Sequence, residues 1–187
     1  MNPTFRTSQP GSAADPSKPH LILVGLPGSG KSTVGQAVAS QTGRTFLDLD
    51  QEIERREGRS ITQIFGENGE QYFRKRERQV TEELALVGNM VVAPGGGWMT
   101  VPDVVGLVRP PSRIVYLRVR PETALKRLGP TGGARPLLAR PDPLGELKRL
   151  FESRRAVYET ADNVIDTELY GLQRVIEKVT ELASGPG

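Results

Sequence analysis

Short apolar runs alternate with longer helix-like segments along the chain. The apolar runs are short enough to be buried strands, whereas the longer segments between them are typical of helices. Because the two kinds of segment alternate, the pattern predicts an α/β protein in which helices cover a parallel, five-stranded sheet. The predicted strands are 20–24, 45–49, 90–93, 114–118 and 163–166, and the predicted helices are 31–41, 50–57, 60–65, 68–86, 122–128, 144–158 and 171–183.

The length of 187 residues and an ordinary share of apolar and charged residues favour one soluble domain, which we place at 20–183. Residues 1–19 are rich in proline, serine, glycine and alanine, so we expect a disordered tail rather than a secretion signal. The absence of cysteine excludes a disulfide scaffold, a thiolate zinc site and a cysteine nucleophile. No apolar run approaches the roughly 20 residues of a membrane helix. We therefore expect a cytoplasmic protein that binds no membrane.

The strongest motif is Gly25-Leu-Pro-Gly-Ser-Gly-Lys31-Ser32-Thr33, which fits G-x-x-x-x-G-K-[ST] between a predicted strand and a predicted helix. In that context the glycines let backbone N–H groups converge on phosphates, and the helix N-terminus adds a favourable dipole. Lys31 supplies charge for the β- and γ-phosphates, and the Ser32 hydroxyl supplies a ligand for Mg²⁺. The sequence therefore predicts a nucleoside triphosphate site. Its residues are Gly28, Ser29, Gly30, Lys31, Ser32 and Thr33.

Two carboxylates, Asp48 and Asp50, close the second predicted strand. Residues two apart in a strand share a face, so we expect both side chains at the carboxyl edge of the sheet, where ligands of α/β proteins bind. One of the two carboxylates can bind Mg²⁺ through water, while the other meets the hydroxyl of a phosphate acceptor. The alternative is that Asp50 caps the following helix, which is a common position for aspartate.

Two further features indicate an anionic acceptor. Arg74 lies three residues before Glu77 on a predicted helix, so the carboxylate can orient the guanidinium as a clamp for another carboxylate. The alternative is that both residues belong to a solvated, charged helix face. Gly95, Gly96 and Gly97 follow the third predicted strand and allow backbone N–H groups to approach a ligand closely.

Positive charge is unevenly distributed. The net charge is only +3, but residues 109–155 contain twelve Lys and Arg against four Asp and Glu. Only Tyr116 and Phe151 are aromatic in this stretch, too few to interleave with the charges as stacking platforms, so we expect phosphates and an anionic substrate rather than nucleic acid. Part of this region, 129–145, is rich in glycine and proline, and we interpret it as a mobile lid that closes over the nucleotide.

Together these motifs resemble the shikimate kinases, small members of the nucleoside monophosphate kinase-like P-loop family. The resemblance extends over residues 20–170 and implies a three-layer α/β/α P-loop kinase fold. The matching motifs are GLPGSGKST at 25–33, DLD at 48–50, FRKRE at 73–77, GGG at 95–97, RPLL at 135–138 and RRAVY at 154–158.

The resemblance implies phosphorylation of the 3-hydroxyl of shikimate by ATP, with Mg²⁺ held by Ser32 and, through water, by Asp48. It implies that Lys31 is catalytic and, with the loop amides, holds the ATP phosphates. Arg127 would stack on the adenine. Arg135, on the lid, would be catalytic by contacting ATP and the transferring phosphate.

The same resemblance implies roles for the residues that bind the phosphate acceptor. Asp50 would be catalytic by contacting the attacking hydroxyl, and Arg74 and Arg154 would bind the shikimate carboxylate beside Gly96 and Gly97. We expect a monomer whose partners are shikimate and ATP.

Two alternative functions remain open: a kinase for another small hydroxy acid such as gluconate, and a catalytically inactive, shikimate-sensing relative. The paired arginines argue against the first, and the presence of Lys31, Asp50 and Arg135 argues against the second. Two departures from the family pattern bear on pocket shape and nucleotide preference. Trp98 is bulkier than expected after the glycines, and 167–170 lacks the arginine expected beside the adenine.

Overall fold

The computed structural model describes Phe5 and residues 18–129 and 141–184. Five strands form one sheet in the order β2-β3-β1-β4-β5, and all neighbouring strands are parallel. The predicted five-stranded parallel sheet is therefore confirmed. The strands are β1 Leu21–Val24, β2 Thr45–Asp48, β3 Met90–Ala93, β4 Arg113–Arg118 and β5 Asn163–Asp166.

The helices begin and end at local signals in the sequence. The third helix starts after Ser60, whose hydroxyl accepts a hydrogen bond from the Gln63 amide while the Gln63 side chain accepts one from the Ser60 amide. This capping box satisfies two amides that have no partner within the helix. The helices in the described ranges are α1 Lys31–Thr42, α2 Leu49–Glu57, α3 Ile61–Leu84, α4 Pro102–Val105, α5 Pro121–Leu128, α6 Pro143–Tyr158 and α7 Leu172–Ser184.

Helices pack on both faces of the sheet. Successive side chains of a strand point to opposite faces. In β1, Ile22 and Val24 enter one core, whereas Leu21 and Leu23 enter the other. The first core also contains residues of α2, α3 and α6, and the second contains residues of α1 and α7. The result is the three-layer α/β/α arrangement that the family resemblance implies.

The structure refines several predicted elements. Gly69 interrupts α3 with φ 79° and ψ 175°, which separates two helical segments close to the predicted helices 60–65 and 68–86. The 3₁₀ turn Trp98–Thr100 and the four-residue α4 were not predicted, because such short elements give no periodic pattern. The second strand ends at Asp48, and Leu49 already begins α2.

Two predicted regions lie wholly or partly outside the described residues. Most of the predicted lid, 129–145, falls on residues 130–140, and Arg135 is among them. Of the predicted tail, 1–19, the structure describes Phe5, Lys18 and Pro19. Among the described helices, none combines the length and the apolar character needed to span a bilayer.

His20, the single histidine of the chain, joins three elements at the amino end of the sheet. Its Nδ1 accepts a hydrogen bond of 3.3 Å from the Met90 amide, so Nε2 carries the proton and donates to the Leu84 carbonyl at 3.0 Å. The ring is 4% exposed. Burial lowers the pKa of His20 below 6.5, and the Leu84 carbonyl opposes this shift. The neutral ring therefore stabilises the junction of β1, α3 and β3.

We predict that the contribution of His20 to the free energy of unfolding decreases as the pH falls from about 7.5 to about 5.5, because the unfolded chain binds a proton at His20 more readily than the folded chain. His20→Gln cannot titrate in this range, so it should show a flatter pH dependence in urea unfolding. Burial raises the pKa of Glu77, which gives a slope of opposite sign, but this contribution is present in both proteins and cancels in their difference. Equal slopes would contradict the prediction.

Candidate active site

The loop between β1 and α1 has the geometry of an anion site. Gly30 has φ 95° and caps α1, and its carbonyl accepts a hydrogen bond of 2.8 Å from the Val34 amide. Gly28 has φ 81°, and a Cβ there would overlap the Ala124 carbonyl oxygen. Glycine meets both requirements, so the loop turns tightly and leaves the first amides of α1, which lack partners within the helix, at the edge of a cleft.

Lys31, the first residue of α1, folds back over this loop. Its Nζ donates to the carbonyls of Gly25 at 2.9 Å and Leu26 at 3.2 Å. Ser29 is 1% exposed, and its Oγ has no hydrogen-bond partner among the described residues. The loop therefore presents backbone amides and an ammonium group to one side of the cleft, and the Ser29 hydroxyl is buried within the loop.

Ser32 and Asp48 form the contact expected of a metal site. The Ser32 hydroxyl donates a hydrogen bond of 2.9 Å to Asp48 Oδ2. The other oxygen, Oδ1, accepts one of 3.2 Å from the Gln51 amide, so Asp48 is the N-cap of α2. The capping role considered for Asp50 therefore belongs to Asp48.

The donor set of Ser32 and Asp48 suits Mg²⁺, which prefers oxygen ligands. Within the part of the chain that the structure describes, no cluster of three or more His, Cys, Asp or Glu side chains could hold a metal by itself. A magnesium ion that is bound together with phosphates needs only one or two protein ligands. The hydroxyl and the carboxylate are therefore sufficient as the protein's share of such a site.

Asp50 lies in the first turn of α2 and not on β2. The prediction that Asp48 and Asp50 share a strand face is therefore wrong. Both carboxylates nevertheless line the same cleft, of about 740 Å³, because α2 begins at the carboxyl end of β2. The N-terminus of α2 also favours a negative charge at Asp50.

Residues 95–97, the glycine loop, directly follow β3, and each of the three lies against a different polar side chain. A Cβ on the first glycine would lie 2.7 Å from Asp50 Oδ1, and a Cβ on the second would lie 2.7 Å from Arg154 Nη1. A Cβ on the third would overlap Arg74 Nη2. The glycine loop is therefore a surface on which one carboxylate and two guanidinium groups converge.

Two carboxylates hold Arg74 in its orientation. Its Nη1 donates to Glu77 Oε2 at 2.7 Å, and its Nη2 donates to Glu70 Oε1 at 3.1 Å. Glu77 is 1% exposed, and its Oε1 has no hydrogen-bond partner among the described residues. Burial raises the pKa of Glu77, the Arg74 guanidinium opposes this rise, and the charges of Asp50 and Arg154 act on it in opposite directions. The four charged groups are thus close enough to influence one another.

Tyr158, at the end of α6, connects the glycine loop to the phosphate loop. Its hydroxyl donates to the Gly96 carbonyl at 2.5 Å and lies 3.5 Å from the Gly25 carbonyl oxygen. Its ring packs on Tyr116 with 5.1 Å between ring centroids. Burial raises the pKa of Tyr158, and the neighbouring Arg154 opposes this shift. Tyr158 therefore positions the same helix turn that carries Arg154.

The opposite end of the cleft is formed by α5 and by the segment after β5. Arg127 donates to the hydroxyl of Thr167 at 2.7 Å and to its carbonyl at 2.8 Å. Tyr170 and Leu172 line the same end of the cleft. Thr167, which stands in the segment where an arginine was expected, thus orients Arg127 instead.

Trp98 is directed into the protein core. It is 1% exposed and packs with the residues of the core that contains α3 and α6. Its bulk is therefore accommodated away from the cleft, although the sequence had suggested an effect on pocket shape.

The structure brings most of the predicted site residues together. The predicted site residues that line the cleft are Gly28, Ser29, Gly30, Lys31, Ser32, Thr33, Asp48, Asp50, Gly95, Gly96 and Arg127. Gly97 belongs to the glycine loop, Arg74 and Arg154 lie against that loop, and Arg135 lies outside the described residues. Sequence reasoning did not assign Tyr158 or Thr167, because their roles depend on contacts between residues far apart in the chain.

Comparisons with known proteins identify the family. The family model described as shikimate kinase matches residues 27–183. A shikimate kinase of Synechococcus sp. (strain RCC307) is 40% identical over 185 residues, which cover 92% of this chain and 94% of the relative. One of Burkholderia lata is 42% identical over 175 residues, covering 91% and 94%.

A solved structure agrees with these relatives. Shikimate kinase from Acinetobacter baumannii in complex with shikimate superposes with a TM-score of 0.81 at 36% identity, covering 89% of this chain and 93% of that one. The chain belongs to the shikimate kinase family.

Proposed function

We propose that this chain transfers the γ-phosphate of ATP to the 3-hydroxyl of shikimate and releases 3-phosphoshikimate and ADP. The observation that carries the proposal is the convergence of Asp50, Arg74 and Arg154 on the glycine loop, beside a complete phosphate loop. One carboxylate can orient a hydroxyl, and two guanidinium groups can bind a carboxylate. Shikimate carries both kinds of group.

The phosphate loop accounts for ATP binding. The amides of residues 28–33 and the N-terminus of α1 surround the phosphates. Lys31 exchanges its contacts with loop carbonyls for the β- and γ-phosphate oxygens. At the other end of the cleft, the guanidinium of Arg127, held by Thr167, offers a flat face to the adenine. Tyr170 and Leu172 complete the wall of this base site.

Ser32 and Asp48 would hold Mg²⁺, Ser32 directly and Asp48 through water. When bound, the ion neutralises charge on the β- and γ-phosphates. The hydrogen bond between the two side chains places both oxygens on the same side of the cleft before the ion arrives. The capping contact of Asp48 fixes its carboxylate relative to α2, which also carries Asp50.

In the proposed reaction, the 3-hydroxyl oxygen of shikimate forms a bond to the γ-phosphorus while the bond from that phosphorus to the bridging oxygen of ADP breaks. The transition state is loose, so positioning and charge neutralisation contribute more than proton abstraction. Asp50 orients the attacking hydroxyl and accepts its proton, and Lys31 stabilises the departing phosphate oxygens. Arg135, on the proposed lid, would contact the transferring phosphate, and it lies outside the described residues.

Arg74 and Arg154 bind the shikimate carboxylate in this proposal. Arg74 reaches it from α3 and Arg154 from α6, and the amides of the glycine loop lie between them. The product leads toward chorismate and the aromatic amino acids. We further propose that the protein acts in the cytoplasm as a monomer without nucleic-acid or membrane partners, in keeping with a reaction between two small, soluble substrates.

We predict that ADP release requires shikimate. In a coupled assay with ATP and Mg²⁺, shikimate should support turnover, whereas quinate, gluconate and nucleoside monophosphates should give rates at least about a hundred-fold lower. Each of these compounds carries an anionic group that can pair with the arginines, but none then places a hydroxyl against Asp50 in the same geometry as shikimate. Preferred turnover with gluconate would support the alternative kinase. No turnover with any acceptor, together with retained shikimate binding, would support the inactive, sensing relative.

We also predict that the Mg²⁺ dependence of activity distinguishes the roles of Asp48 and Asp50. Asp50→Asn keeps the size of the side chain and removes its charge, so kcat should fall by about a hundred-fold or more while the Mg²⁺ requirement stays unchanged. Asp48→Asn should instead raise the Mg²⁺ concentration needed for half-maximal rate. Measuring kcat across a Mg²⁺ titration distinguishes the two variants. Interchanged phenotypes would contradict both assignments.

A further inference from the structure

Trp98 is the only tryptophan of the chain and directly follows the glycine loop. Its side chain is 1% exposed, and the polar N–H of its indole has a hydrogen-bond partner in the protein interior. The Nε1–H donates a hydrogen bond of 3.1 Å to the Thr81 hydroxyl on α3. The glycine loop and α3, which carries Arg74, are thus joined by a buried polar contact.

The contact at Thr81 continues toward the acceptor site. The Thr81 hydroxyl accepts from the indole and donates its own hydrogen to the Glu77 main-chain carbonyl at 2.8 Å. The side chain of the same Glu77 holds Arg74, whose guanidinium lies over Gly97. Gly97 is the neighbour of Trp98 in the chain, so these contacts form a closed ring.

The donors and acceptors fix the direction of each hydrogen bond in this ring of contacts. An indole N–H donates only, so the Thr81 oxygen must accept from it, and the hydroxyl hydrogen is then available for the Glu77 carbonyl. Thr81 is 0% exposed, so water cannot replace either partner without a change in packing. Filling the core would require only an apolar ring such as phenylalanine. The polar contact therefore fixes the indole relative to α3, which filling the core alone would not require.

We propose that Trp98 is a positioning residue for substrate binding, and that through Thr81 it sets the distance between the glycine loop and the turn of α3 that carries Arg74 and Glu77. This inference rests on the proposed role of Arg74 in binding the acceptor carboxylate. The ring holds the Arg74 guanidinium against Gly97 before substrate arrives. Loss of the ring lets α3 shift relative to the loop and weakens acceptor binding.

The test compares variants that remove one hydrogen bond each. Trp98→Phe keeps an aromatic ring without the N–H, and Thr81→Val keeps the branched shape without the hydroxyl. Each should raise the KM for shikimate by about five-fold, the factor that corresponds to one neutral hydrogen bond, while kcat and the KM for ATP change less than about two-fold. Thr81→Ser, which retains the hydroxyl, should remain close to the unmodified protein.

A matched control is available in Thr42, whose hydroxyl also donates to the carbonyl four residues earlier, that of Val38, at 2.7 Å. Thr42 ends α1, and its hydroxyl has no indole partner. Thr42→Val therefore removes the same kind of helix contact outside the ring. It should leave the KM for shikimate unchanged, which separates the ring from a general effect of removing a threonine hydroxyl.

A second readout needs no variant. Because Trp98 is the only indole, the intrinsic fluorescence of the protein reports on the ring. Titration with shikimate alone should change this emission through the contact of Arg74 with the substrate, and the change should be half-maximal near the KM for shikimate. If one of the two variants does not fold, the other decides: an unchanged KM for shikimate in the folded variant overturns the inference.

Arg74→Ala separates the inference from the proposed function. If Arg74→Ala raises the KM for shikimate while Trp98→Phe and Thr81→Val do not, the positioning role is overturned and the acceptor site stands. If Arg74→Ala also leaves the KM unchanged, the role of Arg74 in the proposed function is overturned together with the inference. The expected result is an increase in all three variants, largest for Arg74→Ala.

Discussion

The acceptor site depends on a close approach that only glycine permits. At residues 95–97, three successive positions lie within contact distance of Asp50, Arg154 and Arg74. These side chains come from three different helices, and they meet because the loop after β3 presents bare backbone to all of them. Any side chain on the loop would displace at least one charged group. The packing of α2, α3 and α6 around the sheet therefore sets the positions of the three charged groups at the proposed acceptor site.

Electrostatics explain why this site suits an acid that also carries hydroxyl groups. Arg74 and Arg154 place two guanidinium groups beside the glycine loop, and the carboxylates of Glu70 and Glu77 orient the first of them. A substrate carboxylate can accept charge-assisted hydrogen bonds from both guanidinium groups, whereas a neutral sugar offers no charged partner. Asp50 lines the same cleft as the phosphate loop. In the proposed reaction, the glycine loop thus lies between the residues that bind the carboxylate and the residues that transfer the phosphate.

Much of this organisation could be predicted from the sequence. The apolar runs gave all five strands, and the phosphate loop was recognisable because its glycines, lysine and serine are contiguous. Asp50 was assigned to the correct side of the sheet for a wrong reason, since it lies on α2 rather than β2. The contacts of Thr167 with Arg127 and of Tyr158 with Gly96 join residues 40 and 62 positions apart. Such pairings depend on the packing of helices and leave no local pattern.

The most direct measurement of the central claim is the effect of Gly96→Ala on acceptor binding. The added Cβ would lie 2.7 Å from Arg154 Nη1 and 3.4 Å from the Tyr158 hydroxyl, so the guanidinium must move. The KM for shikimate should rise about ten-fold or more, while the KM for ATP stays within about two-fold. Gly66→Ala, on α3 with no atom within 4 Å of its Cβ, is the control and should change neither. An unchanged KM for shikimate in Gly96→Ala would contradict the account.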